Sequence, residues 1–246
     1  MRELITSGKI GPVYRTFADL SMSMAPENTF EDSHRMVNPD LAGGALLDLG
    51  IYSLTWIFQT LYHTQKSPQA PSVVSALRKY KTGADEHTSM LLTFPREKDG
   101  EAHGIATTSM RVAADPDGKG TAGPSIRIQG ADGEIQVYHP AFRPSHVKLI
   151  LKDGTVEEKD FDFPGPGKSS GWKNGFGGNW QEEGEGQGMF WEADECAYAL
   201  RDGRKEGQYE SLQESLVIMQ TMDEVRKQNG LEYPKNIETV DYPVKL

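Results

Sequence analysis

The feature that most constrains the fold is an almost uninterrupted apolar stretch of 18 residues, Ala45 to Tyr62, which directly follows Gly43-Gly44. Asp48 is the only charged residue within it. The length approaches that of a membrane span, but Asp48, Gly50 and several polar residues interrupt the apolar character. The stretch therefore predicts a helix that is buried on most of its faces inside a folded protein.

Short strands are expected on both sides of this helix. Pro12 to Ser21 precedes it and combines aromatic with β-branched residues, and seven similar segments follow it. Ala131-Asp132-Gly133 and Lys152-Asp153-Gly154 are Asp-Gly turns, which are typical of hairpins and hence of antiparallel pairing. The seven segments are Val73–Lys81, His87–Phe94, Gly104–Val112, Ser125–Gly130, Glu134–Tyr138, Val147–Leu151 and Thr155–Phe161.

Two helices are predicted near the end of the chain, Gln187 to Asp202 and Leu212 to Asn229, each followed by glycine. Ser211 and Glu214 have the spacing of a capping box. With the strands, these helices predict an α+β fold: one domain over residues 1–246, with an open, mostly antiparallel sheet and helices on one face. The strands between Val73 and Phe161 are expected to form that sheet, and its uncovered face is expected to be apolar enough to pair two copies of the chain.

The stretch from Phe163 to Gly188 is rich in glycine and proline and predicts a long loop. Its aromatic residues, Trp172, Phe176 and Trp180, are expected to pack against another surface.

Composition excludes several classes of partner. The net charge is −10, which argues against a nucleic acid or an anionic membrane surface. The chain has one cysteine, Cys196, which rules out an internal disulfide and favours a reducing, cytoplasmic location. Cys196 lies within a predicted amphipathic helix, so we expect a buried structural thiol. Six histidines lack ligand spacing, so no metal site is expected.

Candidate chemistry lies in the apolar helix. Asp48 and Tyr52 are four residues apart and are expected on one face, either buried or facing a cleft. A phenol can transfer a proton, and a nearby cation or helix N-terminus can stabilise its anion. The spacing alone leaves open a second interpretation, in which Asp48 caps a loop and Tyr52 is a core residue.

Several strings resemble one known family. GGALLDLGIY, preceded by His34-Arg35 and Asn38-Pro39-Asp40, is similar to the hallmark of the Gfo/Idh/MocA oxidoreductases. It most resembles their branch of dimeric dihydrodiol dehydrogenases and NADP-dependent D-xylose 1-dehydrogenases. RELITSGKIGPVYRTFADLS, GQGMFWEADECAYALRDGRKEG and SLQESLVIMQTMDEVRKQNGLEYP resemble further segments of the family, so the similarity spans nearly the whole chain.

The resemblance implies a Rossmann domain that is followed by an α+β domain, the type of domain predicted above. It implies that Tyr52 transfers a proton, assisted by a lysine from a Glu-Lys-Pro motif in the first domain, and that Asp48 orients Tyr52 or the substrate. Arg35 and, with weaker support, His34 would contact the substrate. The implied cofactor is NADP, the substrate is a sugar or a diol, and the assembly is a homodimer through the open sheet face.

The sequence also departs from the family. No G-x-G-x-x-G follows a predicted strand, since Gly175-Phe176-Gly177-Gly178 lies in the long loop, and no Glu-Lys-Pro occurs. The chain opens on a helix end, Arg2 to Ser7, and passes at once into a strand, which is typical of an internal segment. We therefore expect the substrate-binding and dimerisation half of an oxidoreductase, inactive by itself. The alternative is a non-catalytic dimeric module that binds a sugar or a partner chain; a metal-dependent hydrolase is poorly supported.

Overall fold

The structure, a computed structural model, describes residues 1–96, 98, 100–173 and 183–243. The strands are β1 (Val13–Ser21), β2 (Ser72–Lys79), β3 (Asp85–Pro95), β4 (Glu101–Ser109), β5 (Ile126–Gly130), β6 (Gly133–Val137), β7 (His146–Leu151) and β8 (Val156–Asp160). The α-helices are α1 (Arg2–Thr6), α2 (Pro26–Thr29), α3 (Ile51–Ile57), α4 (Met189–Arg201), α5 (Leu212–Gln228) and α6 (Lys235–Glu238). Single turns of 3₁₀-helix (Pro39–Leu41) and π-helix (Leu46–Gly50 and Phe58–Tyr62) complete the regular structure.

The strands form an eight-stranded open sheet in the order β2-β3-β4-β1-β5-β6-β7-β8, and every neighbouring pair except β1 and β4 is antiparallel. The predicted α+β class with a mostly antiparallel sheet is confirmed, and each predicted strand forms within three residues of its expected bounds. Turns and alternating apolar residues are local signals, which explains why the strands were predictable.

The strands between Val73 and Phe161 all belong to one open sheet, as predicted, but β1 also joins it. β1 lies between β4 and β5, where Phe17 pairs with Ile105 on one side and Arg127 on the other. Residues 110–125 connect β4 to β5, a segment long enough to cross over β1. Consequently β1, which precedes the other strands in sequence, joins the two halves of the sheet.

The uncovered face of the sheet is mixed rather than apolar throughout. Facing side chains in the strand register form an apolar row on β2, β3, β4 and β1, and a polar row on β5 to β8. The apolar members are Val74, Leu91, Ile105 and Phe17, and the polar members are Arg127, Gln136, Lys148 and Glu158. The expected apolar face is therefore wrong: β5 to β8 carry charged side chains there, and in the other half the apolar row lies between rows that include His103 and Thr107.

The predicted helix over Ala45 to Tyr62 is confirmed as a continuous helix over residues 46–62, hereafter the site helix. It packs across β1 and β4, and Leu54, Ile57 and Phe58 are completely buried. Ser53 ties it to the sheet, because its hydroxyl accepts from the Leu20 N–H and donates to the Thr107 carbonyl. In the part of the chain that the structure describes, no helix combines the length and apolar character needed to cross a membrane.

The site helix begins against strand β3. The buried Asp85 carboxylate accepts a hydrogen bond of 2.6 Å from the Leu46 N–H and a longer one from the Thr88 hydroxyl. A Cβ at Gly44 would lie 1.9 Å from the Asp85 Oδ1, and Gly44 has a φ of +146°. Gly44 is thus required twice, for its backbone conformation and for the space that the carboxylate fills.

The two long helices near the end of the chain, α4 and α5, differ in how they pack. α5 packs on β2 and α3, and the Ser211 hydroxyl accepts from the Glu214 N–H, as predicted. The Glu214 carboxylate does not complete the capping box. It binds Gln59, near the end of the site helix, and His63, the residue that follows the helix.

In α4, all of which the structure describes, Ala199 is the one buried residue. The prediction that Cys196 is buried is wrong: its thiol is exposed, because α4 presents most of its surface to solvent. In the preceding loop Trp172 is 43% exposed, whereas Phe176 and Trp180 lie outside the described residues.

The contact between Gly104 and the site helix yields a stability prediction. A Cβ at Gly104 would lie 2.4 Å from the Ile57 Cγ2, so Gly104→Ala should lower the free energy of unfolding by about 1–3 kcal/mol. In an Ile57→Ala background the same change should be nearly neutral, because the colliding methyl group is gone. Urea unfolding of the four proteins measures the coupling; additive losses would contradict this packing.

The helix start yields a pH prediction. Burial raises the pKa of Asp85 from its ordinary value of 3.8 to about 6. A raised carboxyl pKa means that the folded state binds the proton more tightly, so this group's contribution to stability falls by about 2 kcal/mol as the pH rises from 4 to 7. The Asp85→Asn variant lacks that titration. Its stability relative to wild type, measured by urea unfolding, should rise across this range; a difference independent of pH would contradict the assignment.

Candidate active site

The first two turns of the site helix carry the candidate residues. Asp48 lies in the π-helical turn and its side chain is 32% exposed, while Tyr52 lies in α3 and is 42% exposed. Tyr52 is more exposed than expected, because Ser53, Leu54 and Ile57 occupy the side of the helix that faces the sheet. Of the two expected placements, buried or facing a cleft, burial is wrong for Tyr52, and its phenol is accessible from solvent.

Asp48 is paired with Arg35. The Arg35 Nη1 donates to the Asp48 Oδ1 at 2.7 Å, and the arginine side chain is 67% exposed. The loop that carries Arg35 reaches the helix through Gly43, where a Cβ would lie 2.4 Å from the Arg35 carbonyl oxygen. The two glycines therefore let the Arg35 loop and the Asp85 carboxylate approach the same helix start.

Tyr52 lies against a loop that follows β6. Its ring meets the Phe142 ring edge to face, with centroids 6.1 Å apart. One turn further along the helix, the Trp56 indole N–H donates to the Ala141 carbonyl at 2.9 Å and fixes this loop. Phe142 and Trp56 could not be identified from the sequence, since contacts across 85 residues or more leave no local pattern.

The π-helical turn changes the spacing of the candidate pair. A π turn contains more residues than the 3.6 of an α-helix, and such turns are frequent at functional sites. Asp48 and Tyr52 remain on neighbouring parts of one helix surface, but each is held by its own partner, Arg35 or Phe142. The first two turns of the site helix therefore carry an Arg35–Asp48 ion pair and a phenol, and all three side chains are at least partly exposed.

His34 lies next to Arg35 but is directed elsewhere. Its ring stacks on Phe30 with centroids 4.6 Å apart, and its Nδ1 accepts from the Met36 N–H. These contacts lie within the loop that carries Arg35, and the expected contact of His34 with substrate stays a prediction.

A cleft of about 680 Å³ lies beside the loop that follows β6. It is lined by Tyr138, His139, His146 and residues 115–120. The acidic side chains of Asp115, Asp117 and Glu158 contribute to its walls. Asp48 and Tyr52 do not line it, so the candidate site is a separate surface.

Neither the connection from β1 to α2 nor the start of the site helix fits the pyrophosphate of a dinucleotide. Residues 22–25 join β1 to α2 without glycine, and the start of the site helix is already filled by the Asp85 carboxylate, which would repel a phosphate. Across the described part of the chain, no group of three or more His, Cys, Asp or Glu side chains is placed to hold a metal ion. The arrangement can bind hydroxyl groups and move a proton at the Tyr52 oxygen.

Comparison with curated proteins gives close relatives. The NADP-dependent D-xylose 1-dehydrogenase of Hypocrea jecorina is 49% identical over all of this chain and 60% of its own length. The human trans-1,2-dihydrobenzene-1,2-diol dehydrogenase is 32% identical over 82% of the chain and 51% of its own length. The chain thus spans little more than half the length of these relatives.

Solved structures share the fold at lower identity. The aldose-aldose oxidoreductase of Caulobacter crescentus superposes with a TM-score of 0.61 at 17% identity, over 92% of this chain and 56% of the other. A 3-ketoreductase from Actinomadura kijaniata gives 0.59 at 18% identity, over 93% and 57%. The family profile of the GFO/IDH/MocA C-terminal domain matches residues 1–136, which include the whole site helix. The chain therefore belongs to the GFO/IDH/MocA family of oxidoreductases and contains the C-terminal domain of that family.

Proposed function

We propose that residues 1–246 form the substrate-binding and dimerisation unit of a cytoplasmic, NADP-dependent dehydrogenase that oxidises a sugar or a trans-diol. The observation that carries this proposal is the accessible surface of Asp48, Arg35 and Tyr52 at the start of the site helix. The relatives named above act on D-xylose and on a trans-diol, and both substrates have neighbouring hydroxyl groups. D-Xylose is the first substrate to test, because its dehydrogenase is the more similar relative.

The chemistry follows from the residue types. The Asp48 carboxylate, oriented by Arg35, accepts hydrogen bonds from substrate hydroxyl groups. The Phe142 ring offers an apolar wall beside Tyr52 for the carbon face of the substrate. Tyr52, present as the phenolate beside the lysine that the first domain is expected to supply, then accepts the hydroxyl proton as the hydride passes from the alcohol carbon to NADP. NADP, which supplies hydride acceptance, would be held mainly by a dinucleotide-binding domain.

Exposed apolar side chains support a requirement for that domain. Leu200 on α4 is 81% exposed and Trp191 is 58% exposed, and on α5 Leu212 and Leu216 are 66% and 56% exposed. A helix of 13 residues that buries little of its surface gains little stability from its own hydrogen bonds. We propose that this apolar surface, formed by the exposed side chains of α4 and α5, packs against the dinucleotide-binding domain.

Joining such a domain tests the function. The part of the Hypocrea jecorina enzyme that this chain does not match, placed ahead of Met1, should give NADP-dependent oxidation of D-xylose. Tyr52→Phe should lower kcat at least 100-fold with little change in KM, since a positioned acid–base group contributes about 10²–10⁴-fold. Tyr14→Phe, on a tyrosine that is similarly exposed at 40%, is the matched control. A folded, inactive joined protein, or an unaffected Tyr52→Phe variant, would contradict the proposal.

The rate at which a thiol reagent labels Cys196 would show whether the added domain packs against α4. It is the only cysteine in the chain and is exposed on α4. In a joined protein whose added domain has no cysteine, a thiol reagent should label Cys196 at least tenfold more slowly than in the 246-residue chain. Slow labelling together with inactivity identifies a failure of the chemistry; fast labelling identifies a failure of docking. Tight binding of NADPH by the 246-residue chain would overturn the division of roles.

The open face of the sheet supports a homodimer. Val74 and Leu91 are 69% and 45% exposed in the apolar row, and burying such a row between two copies removes it from water. Sedimentation equilibrium at micromolar concentration should show a dimer, and Leu91→Glu should give a monomer. Leu212→Glu, which places the same charge on α5, should remain dimeric. A wild-type monomer would contradict the proposed assembly.

A further inference from the structure

Asp85 and the neighbouring Glu86 are two buried carboxylates at the start of β3, each 1% exposed. They point to different partners. Glu86 binds the Nε atoms of Arg78 and Arg111 at 2.7 and 2.9 Å, so its charge is matched by two guanidinium groups. Asp85 instead binds the N–H of Leu46, and its Oδ1 has no hydrogen-bond partner among the described residues. Asp85, which forms no ion pair among the described residues, is thus the carboxylate that touches the site helix.

We propose that Asp85 is a positioning residue of the candidate active site, which fixes the start of the site helix and thereby the directions of Asp48 and Tyr52. The inference rests on the proposed function, since it assigns Asp85 a role in that reaction. It adds a residue that lies outside the substrate surface and acts through the helix backbone.

The geometry connects Asp85 to both candidate side chains. Leu46, whose N–H it binds, is the first residue of the π-helical turn that carries Asp48. Tyr52 follows Leu46 by six residues, a rise of about 9 Å along a helix. A shift or rotation at Leu46 therefore moves Asp48 and Tyr52 together, away from Arg35 and Phe142.

The start of the site helix, at Gly43 and Gly44, also contacts the loop that carries Arg35. Gly44 leaves no space for a side chain because the Asp85 carboxylate fills it, and Gly43 leaves none because the Arg35 carbonyl fills it. Asp85 therefore defines where the helix start lies relative to the loop that supplies the partner of Asp48. Removing the carboxylate would free Gly44 and loosen the contact between these two segments.

A contribution to stability is a poor explanation for a buried aspartate at position 85. Burial raises the pKa of Asp85 to about 6, so its ionisation at neutral pH weakens the fold. A neutral cap such as serine would satisfy a helix N–H with a smaller desolvation penalty. An ionised carboxylate gives a short, charge-assisted bond and favours the positive end of the helix dipole, which suits precise placement.

The test compares Asp85→Ala and Asp85→Asn with Glu86→Gln in the 246-residue chain, by NMR. In Asp85→Ala the nuclear Overhauser effect between the Tyr52 and Phe142 rings should fall at least twofold, and the Leu46 amide should exchange at least tenfold faster. Asp85→Asn keeps an acceptor oxygen and should restore both signals in part. Glu86→Gln, equally buried, should leave them unchanged whatever its stability. Unchanged signals in Asp85→Ala, or equal changes in Glu86→Gln, would overturn the inference.

A second readout uses the joined enzyme described above. Asp85→Ala should lower kcat at least tenfold with KM for D-xylose within threefold, and Asp85→Asn should recover part of the loss. A kcat equal to wild type would overturn the inference. If the joined wild type is inactive, the proposed function fails, and the NMR comparison still decides the role of Asp85.

Asp85→Asn replaces Asp85→Ala if the alanine variant does not fold. The Tyr52–Phe142 nuclear Overhauser effect and the Leu46 amide exchange in Asp85→Asn should then lie between those of wild type and an unfolded chain. Wild-type values would overturn the inference.

Discussion

The hydrogen bond from the Leu46 N–H to the buried Asp85 carboxylate joins the site helix to the sheet at the point where the candidate chemistry begins. Gly43 and Gly44 make this contact possible, because a side chain at either position would collide with Arg35 or Asp85. From that anchor the helix runs across β1 and β4 and is held a second time by Ser53. Asp48 and Tyr52 lie between these two attachments, which are at Leu46 and Ser53. The directions of their side chains therefore depend on both.

The fold presents three surfaces with different chemistry. The start of the site helix offers a carboxylate, a guanidinium and a phenol; the open sheet face offers an apolar row beside charged strands; and α4 and α5 expose large apolar side chains. β1 is central to this arrangement, because it supports the site helix on one face and contributes Phe17 to the row on the other. The proposed roles in substrate binding, pairing of subunits and docking of a further domain would thus use separate parts of one sheet and its helices.

The sequence predicted those elements whose signals are local. The apolar stretch after Gly44 forms the site helix, and the two Asp-Gly turns join antiparallel strands, as predicted. Long-range features were missed: β1 inserts between strands that follow it by some 80 residues or more, and Asp85 meets the helix from 39 residues away. The exposure of Cys196 was also missed, because an amphipathic pattern marks an apolar surface without showing what covers it. Asp48 and Tyr52 were identified from spacing and family resemblance, whereas Phe142 required the folded chain.

The central claim is that the Asp48–Tyr52 surface and the apolar surface of α4 and α5 face a dinucleotide-binding domain. An NMR titration of the labelled 246-residue chain with the separate dinucleotide-binding domain of the Hypocrea jecorina relative, in the presence of NADP and D-xylose, tests this most directly. The account predicts saturable shifts of amide signals on α4 and α5 and at Arg35, Asp48 and Tyr52. Shifts confined to the open sheet face, or no shifts at millimolar concentration of the added domain, would contradict it.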